Sequence, residues 1–301
     1  MERQFSIKKA LVMLAVSFLL FRHPLMAQES RIKTSKVSDN VYMLEAGAPG
    51  NIGVFVGEDG VILIDDQFAP LTDEIVTAIS KITPQKIRFL LNTHAHPDHV
   101  GGNENLGELG VLIIGQENVR AHMVQGIFGG SPYPDKALPI ITFNDTVTFH
   151  MNGEEVKAFK VANAHTDSDT IIHFLGSDVI HTGDVFRTTT YPFIDTDDGG
   201  NFLGQIEVLE QLLALAGPKT MFIPGHGKAS TKEGVKEFYL MLVTVKRRVE
   251  ELIRQGKSLK EVLQAQVTAD YDERWDIKPS DMEHYGKVPF IEMVYQELRA
   301  H

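Results

Sequence analysis

Three of the twelve histidines of this chain fall within six residues, His94-Ala95-His96-Pro97-Asp98-His99. They stand directly after an apolar run and before Gly101-Gly102, so imidazoles and a carboxylate are aimed at one volume. Neutral imidazole and carboxylate suit zinc, and less well iron or manganese. A polar loop that merely contains histidines rarely repeats them so tightly, and the pattern is a strong one among short signatures. Three further residues of ligand type also follow strand-like runs: His165 after Ala158 to Val161, Asp184 after Asp178 to His181, and His226 after Met221 to Ile223. Small neighbours (Ala164, Gly183, Gly225, Gly227) let backbone and side chain approach a common centre. Singly, each of the three is as readily a turn residue; together with the first cluster they supply two metal positions. Cysteine is absent, so a metal here is held by His, Asp or Glu, and thiol nucleophiles and iron–sulfur clusters are excluded.

Other polar residues near these positions are weaker candidates for substrate contact. Arg187 and Tyr191, just past Asp184, either line a pocket or pack a loop. Asn201, within Asp197 to Gly204, is able to donate a hydrogen bond to a carbonyl oxygen, although a helix-entry turn is the simpler reading of that stretch.

The elements that must position these residues follow from periodicity. Val41 to Leu44, Ile52 to Val56 and Val61 to Asp65 read as three short strands, with Asp59-Gly60 as a hairpin signal. Leu71, Ile75, Val76, Ile79 and Ile82 recur at helical spacing and Pro84 ends the helix. A β-rich run from Lys86 to Asn92 then delivers His94, and strand and helix alternate through Val111 to Ile114 and the stretch after Gln116. Gly126 to Pro139 is a Gly- and Pro-rich loop long enough to be a functional lid. The second half repeats the rhythm: a hairpin of Thr146 to Met151 and Glu155 to Val161 around Asn152-Gly153, then Thr170 to Leu175, Asp178 to His181, a helix over Leu203 to Leu215, a strand over Thr220 to Ile223 and a long amphipathic helix over Lys232 to Arg254. Strands alternating with helices point to a layered α/β arrangement.

With 301 residues, 43% of them hydrophobic and 23% charged, the chain has the composition of a globular protein. The first 27 residues stand apart. A basic start (Arg3, Lys8, Lys9) precedes an apolar run from Ala10 to Phe21 and then Leu25-Met26-Ala27, the layout of a secretory signal peptide over 1–27. A run of twelve residues falls short of the ~20 needed to span a bilayer, so the expectation is a secreted or periplasmic protein with no stable membrane anchor. This segment carries +3 (Arg3, Lys8, Lys9 and Arg22 against Glu2) of a total of -11, which leaves -14 on the remainder. A body that acidic argues against gripping nucleic acid phosphates. The expected partner is a small-molecule substrate; oligomeric state is left open.

The sequence resembles the metallo-β-lactamase superfamily. His94-Ala95-His96-Pro97-Asp98-His99 matches its His-x-His-x-Asp-His signature, and His165, Asp184 and His226 match its later ligand positions in order, over roughly Val41 to His226. The resemblance implies an α/β fold of the αββα sandwich type, two mixed sheets flanked by helices, as one catalytic domain over 28–301 with a helical C-terminal end. It implies two zinc ions, one on His94, His96 and His165 and the other on Asp98, His99 and His226. Asp184 stands where hydrolases of the glyoxalase II and lactonase type use a bridging aspartate and the best-known clinical lactamases carry cysteine. The implied chemistry is attack on a carbonyl by hydroxide drawn from a water that two dications acidify, with Asp98 as the catalytic carboxylate that orients the nucleophile. A β-lactamase-like hydrolase of a cyclic amide or lactone ranks first, on export and the compact C-terminal helices. The alternatives are a glyoxalase II-like thioester hydrolase, or an iron-dependent oxidoreductase of the same fold; the flavodiiron type resembles His-x-Glu-x-Asp where His96 stands here. Specificity would lie in loops such as Ala46 to Asn51 and Gly126 to Pro139.

Overall fold

The strands of the first sheet alternate so that one face of each meets a second sheet and the other meets helices. A computed structural model describes residues 30–47, 50–277 and 285–300. The expected leader over 1–27 lies outside them, as do Ala48 and Pro49 of the loop Ala46 to Asn51. The first sheet contains β1 (Lys33–Lys36), β2 (Val41–Glu45), β3 (Ile52–Gly57), β4 (Gly60–Ile64), β5 (Ile87–Leu91), β6 (Leu112–Gln116) and β7 (Ile141–Phe143), in that spatial order. β1 to β4 pair antiparallel and β4 to β7 parallel, so the sheet is mixed. The second sheet contains β8 (Thr146–Met151), β9 (Glu154–Lys160), β10 (Thr170–Phe174), β11 (Val179–His181), β12 (Met221–Ile223) and β13 (Ser230–Thr231), also in sequence order across the sheet. Among the described residues only β11 and β12 pair parallel in it.

The helices lie outside. They are α1 (Thr72–Ile82), α2 (Pro97–Val100), α3 (Asn103–Glu108), α4 (Glu117–Gln125), α5 (Phe202–Leu215), α6 (Lys232–Arg254), α7 (Leu259–Gln264), α8 (Asp272–Trp275) and α9 (Lys287–Ala300). Three apolar layers result. Val54, Val61, Leu63 and Leu90 pack under Ile75 and Ile79 of α1. Phe55, Ile62, Ile64 and Leu91 meet Ile172, Phe174 and Ile223 between the sheets. Ile171, Ile180 and Phe222 pack on Val208 and Leu212 of α5 and Val235 and Phe238 of α6. Strands such as β4, buried on both faces, therefore read as continuous apolar runs. The order helix, sheet, sheet, helix is the expected αββα sandwich.

The two sheets are also tied at their hairpins. Asn152 and Gly153 both have positive φ, 53° and 80°, the backbone of a tight two-residue turn. The Asn152 side chain accepts from the Asp59 amide at 2.9 Å, and the Asn152 amide donates to Asp59 Oδ2 at 2.6 Å. Among the described residues no helix is long and apolar enough to cross a membrane.

Candidate metal centre

The ends of β5, β9, β11 and β12 release their loops toward one place. After β5 the chain runs through Thr93 and His94 to His96, whose extended backbone (φ −64°, ψ 146°) is the entry to α2 with Pro97 in the first turn. That short helix carries Asp98 and His99. Parallel pairing of β11 and β12 brings Asp184 and His226 out together, and the Thr182 amide donates to the Ile223 carbonyl at 3.0 Å. The small residues here are steric requirements. A Cβ on Gly225 would lie 1.9 Å from Asp184 Oδ1, and one on Gly50 would lie 2.4 Å from the His99 ring.

Two groups of donor atoms converge. His165 Nε2 lies 3.2 Å from His94 Nε2 and 3.0 Å from His96 Nδ1, all three side chains buried. Nitrogens bound tetrahedrally to zinc at 2.0–2.1 Å sit about 3.3 Å apart, so this spacing is close to that of a loaded site. In the second group His226 Nε2 is 3.4 Å from Asp98 Oδ2 and 3.1 Å from Asp184 Oδ2, and His99 Nε2 is 3.7 Å from Asp98 Oδ2. Asp184 lies between the groups, Oδ1 at 3.2 Å from His99 Nε2 and Oδ2 at 3.8 Å from His165 Nε2. His99 Nε2 and Asp184 Oδ1 are both buried without a hydrogen-bond partner. At 3.2 Å the two form a buried ion pair without good hydrogen-bond geometry, an arrangement that a cation between them would complete. An oxygen and nitrogen donor set of this kind fits zinc.

The other ring nitrogen of each buried imidazole is held, which aims the free one inward. His99 Nδ1 is 2.7 Å from Asp65 Oδ2, and Asp65 also accepts from the Thr93 amide and hydroxyl, each at 2.7 Å. His94 Nδ1 is 3.0 Å from Thr93 Oγ1. His96 Nε2 is 3.0 Å from Asp195 Oδ2, whose other oxygen accepts from the Asp197 and Asp198 amides at 3.1 Å each. His165 Nδ1 donates to the Phe193 carbonyl at 2.7 Å. Asp65 and Asp195 escaped the sequence analysis. Asp65 had a weak signal, a carboxylate closing an apolar strand, whereas Asp195 had none.

Electrostatics favour a cation. Burial, with the neighbouring imidazoles, pulls His94 well below its ordinary value, and burial takes His165 down to about 3. Both rings are therefore neutral and able to ligate. His99 shows the opposite: burial would lower it, but the Asp98, Asp65 and Asp184 carboxylates raise it well above the usual value. Burial would raise Asp184, yet His226, Arg187 and His99 hold it well below the carboxylate range. Carboxylates that hold a proton on a buried ring would hold a dication in its place, with release of that proton.

The three residues considered for substrate contact have different surroundings. Arg187 is buried and donates to Asp184 Oδ2 and to Thr190 Oγ1, with its guanidinium 5.0 Å from the Tyr285 ring centre. It supports Asp184. Tyr191 is buried in the core, stacked on Phe290 at 5.0 Å, and its hydroxyl donates to Asp272 at 2.9 Å. Asn201 is the N-cap of α5, its Oδ1 accepting from the Gly204 amide at 2.7 Å. The helix-entry reading thus describes Asn201, and packing describes Tyr191.

A family profile described as "Metallo-beta-lactamase superfamily" matches residues 46–227. The chain is 20% identical over 217 residues to the metallo-beta-lactamase type 2 of Bacillus cereus, which covers 67% of this chain and 78% of that one. Among solved structures, a metallo-beta-lactamase from Pontibacter korlensis superposes with a TM-score of 0.60 at 18% identity, over 70% of this chain and 99% of that chain. The inverting sec-alkylsulfatase Pisa1 from Pseudomonas sp. gives 0.69 at 17% identity, over 88% of this chain and 50% of that one. At such identities the superpositions speak for the fold.

Proposed function

Because this chain belongs to the metallo-beta-lactamase superfamily and is a metal-dependent hydrolase, we propose that it works with two zinc ions and opens a cyclic amide or lactone. His94, His96 and His165 would hold one ion and Asp98, His99 and His226 the other. The observation that carries this reading is the placement of Asp184, with one oxygen toward His99 and the other within 3.8 Å of His165. When bound, zinc would supply what no side chain here can, an acidified water and a polarised carbonyl. The chain's own residues do the rest. Asp98 is the outermost carboxylate of the cluster, its side chain 24% exposed, and would orient the nucleophile while it ligates. Arg187 keeps Asp184 ionised and fixed. Asp65, Thr93 and Asp195 hold the imidazole tautomers. The same reading includes export through the segment 1–27, with the mature protein secreted or periplasmic.

Hydrolysis of nitrocefin, a homoserine lactone and a glutathione thioester, with and without chelator, tests the substrate class. Turnover of the lactam or lactone above the thioester, abolished by chelator and restored by zinc, is the expected result. Preference for the thioester would favour a glyoxalase II-like enzyme instead.

A further inference from the structure

The turn that carries His226, Pro224-Gly225-His226-Gly227, is made of residues that do little to fix their own backbone. It leaves a strand of only three residues, β12, and Gly227 has a left-handed φ of 95°. Its shape is imposed from outside, through its carbonyls. Asn51, buried at the entry to β3, supplies three donors to it. The Asn51 amide donates to the Gly225 carbonyl at 2.7 Å, and the side-chain Nδ2 donates both to the Pro224 carbonyl at 2.9 Å and to the Gly227 carbonyl at 2.7 Å. The remaining carbonyl of the turn, that of His226, accepts from the Thr188 amide at 3.0 Å. All four carbonyls thus have a donor, and one residue of the first sheet serves three of them.

Asn51 is itself held from the side of His99. Gln67 Nε2 donates to the Gly50 carbonyl at 2.6 Å, and Gly50 lies directly against the His99 ring. Gln67 has a φ of 59°, and Asp65, which holds His99 Nδ1, one of 60°. Non-glycine residues in the left-handed region are costly unless their surroundings fix them. The turn after β4 therefore fixes His99 with one side chain and the Gly50-Asn51 segment with another. The His99 and His226 ring centres lie 5.6 Å apart, with Gly50 against the first ring and Asn51 on the turn of the second. Residue type matters at this position. Asparagine offers two N–H donors on a stem of one methylene, whereas aspartate has the same shape and, when ionised, only acceptors. The group His94, His96 and His165 has separate supports in Thr93, Asp195 and the Phe193 carbonyl.

We infer that Asn51 is a positioning residue for the second metal position: by clamping the carbonyls on both sides of His226, it sets where that imidazole stands relative to Asp98 and His99. This rests on the two-zinc reading given above. The test follows release of zinc from the full zinc-loaded chain to a competing chelator. Wild type should release two ions in two steps. Asn51→Asp should weaken one step by ~10–100-fold and leave the other unchanged, and His226→Ala, which removes a ligand of the second position, should abolish that same step. The carboxylate introduced at position 51 would by its charge alone favour a cation, so a fall in affinity reports the lost hydrogen bonds. Gln67→Asn suits the left-handed backbone but is a methylene too short to reach Gly50, and should weaken the same step; where Asn51→Asp fails to fold, Gln67→Asn decides by the same criteria. Unchanged zinc release, equal weakening of both steps, or weakening of the step that His226→Ala retains would overturn the inference and leave the two-zinc reading intact. A wild-type chain that holds a single ion would defeat that reading and the inference with it.

Discussion

At the scale of single residues, the histidine and aspartate ligand types were legible because their chemistry is unusual and their spacing is local. The side chains that aim them were not. Asp65 reaches His99 across 34 positions and Asp195 reaches His96 across 99, and no local pattern encodes a contact that only the folded sheets create. Asp65 is nonetheless the hub of the cluster, because it holds His99 directly and His94 through Thr93. Asp65→Asn keeps the shape and removes the charge. It should weaken zinc affinity by ~10–100-fold in a chelator competition, with circular dichroism unchanged. Wild-type affinity in that variant would mean that Asp65 is only a structural carboxylate.

At the scale of elements, long strands and the amphipathic α6 follow directly from apolar periodicity, whereas β7, β13 and the C-terminal helices α7 to α9 do not. β7 has three residues at the sheet edge, two of them exposed, and is defined by parallel pairing with β6 rather than by its own sequence. β13 is shorter still and exists by pairing with β12. Asn201 shows how an element claims a residue whose type also suits catalysis: an amide near the site serves as the cap of α5. Asn201→Ala should therefore cost ~1 kcal/mol of unfolding free energy in denaturant titration. The kcat of the zinc-loaded protein should stay within about twofold, since the lost interaction is a helix cap. A large fall in kcat at unchanged stability would return Asn201 to the substrate.

At the scale of the whole molecule, the absence of cysteine and the αββα sandwich converge on one centre. Loops leaving both sheets must meet there, so neither half holds it alone: His94, His96, Asp98 and His99 come from the first sheet, and His165, Asp184 and His226 from the second. Metal binding and the packing of the two sheets are consequently linked. Chelation should lower the melting temperature and zinc should restore it, with about 4 kcal/mol of stabilisation at a thousandfold excess over Kd. The most direct measurement of the central claim is elemental analysis of the purified chain beside its His96→Ala variant, each assayed for hydrolysis. About two zinc ions per wild-type chain are expected, with a variant that loses most of its metal and nearly all activity. Iron in place of zinc, or full metal content and activity in His96→Ala, would contradict it.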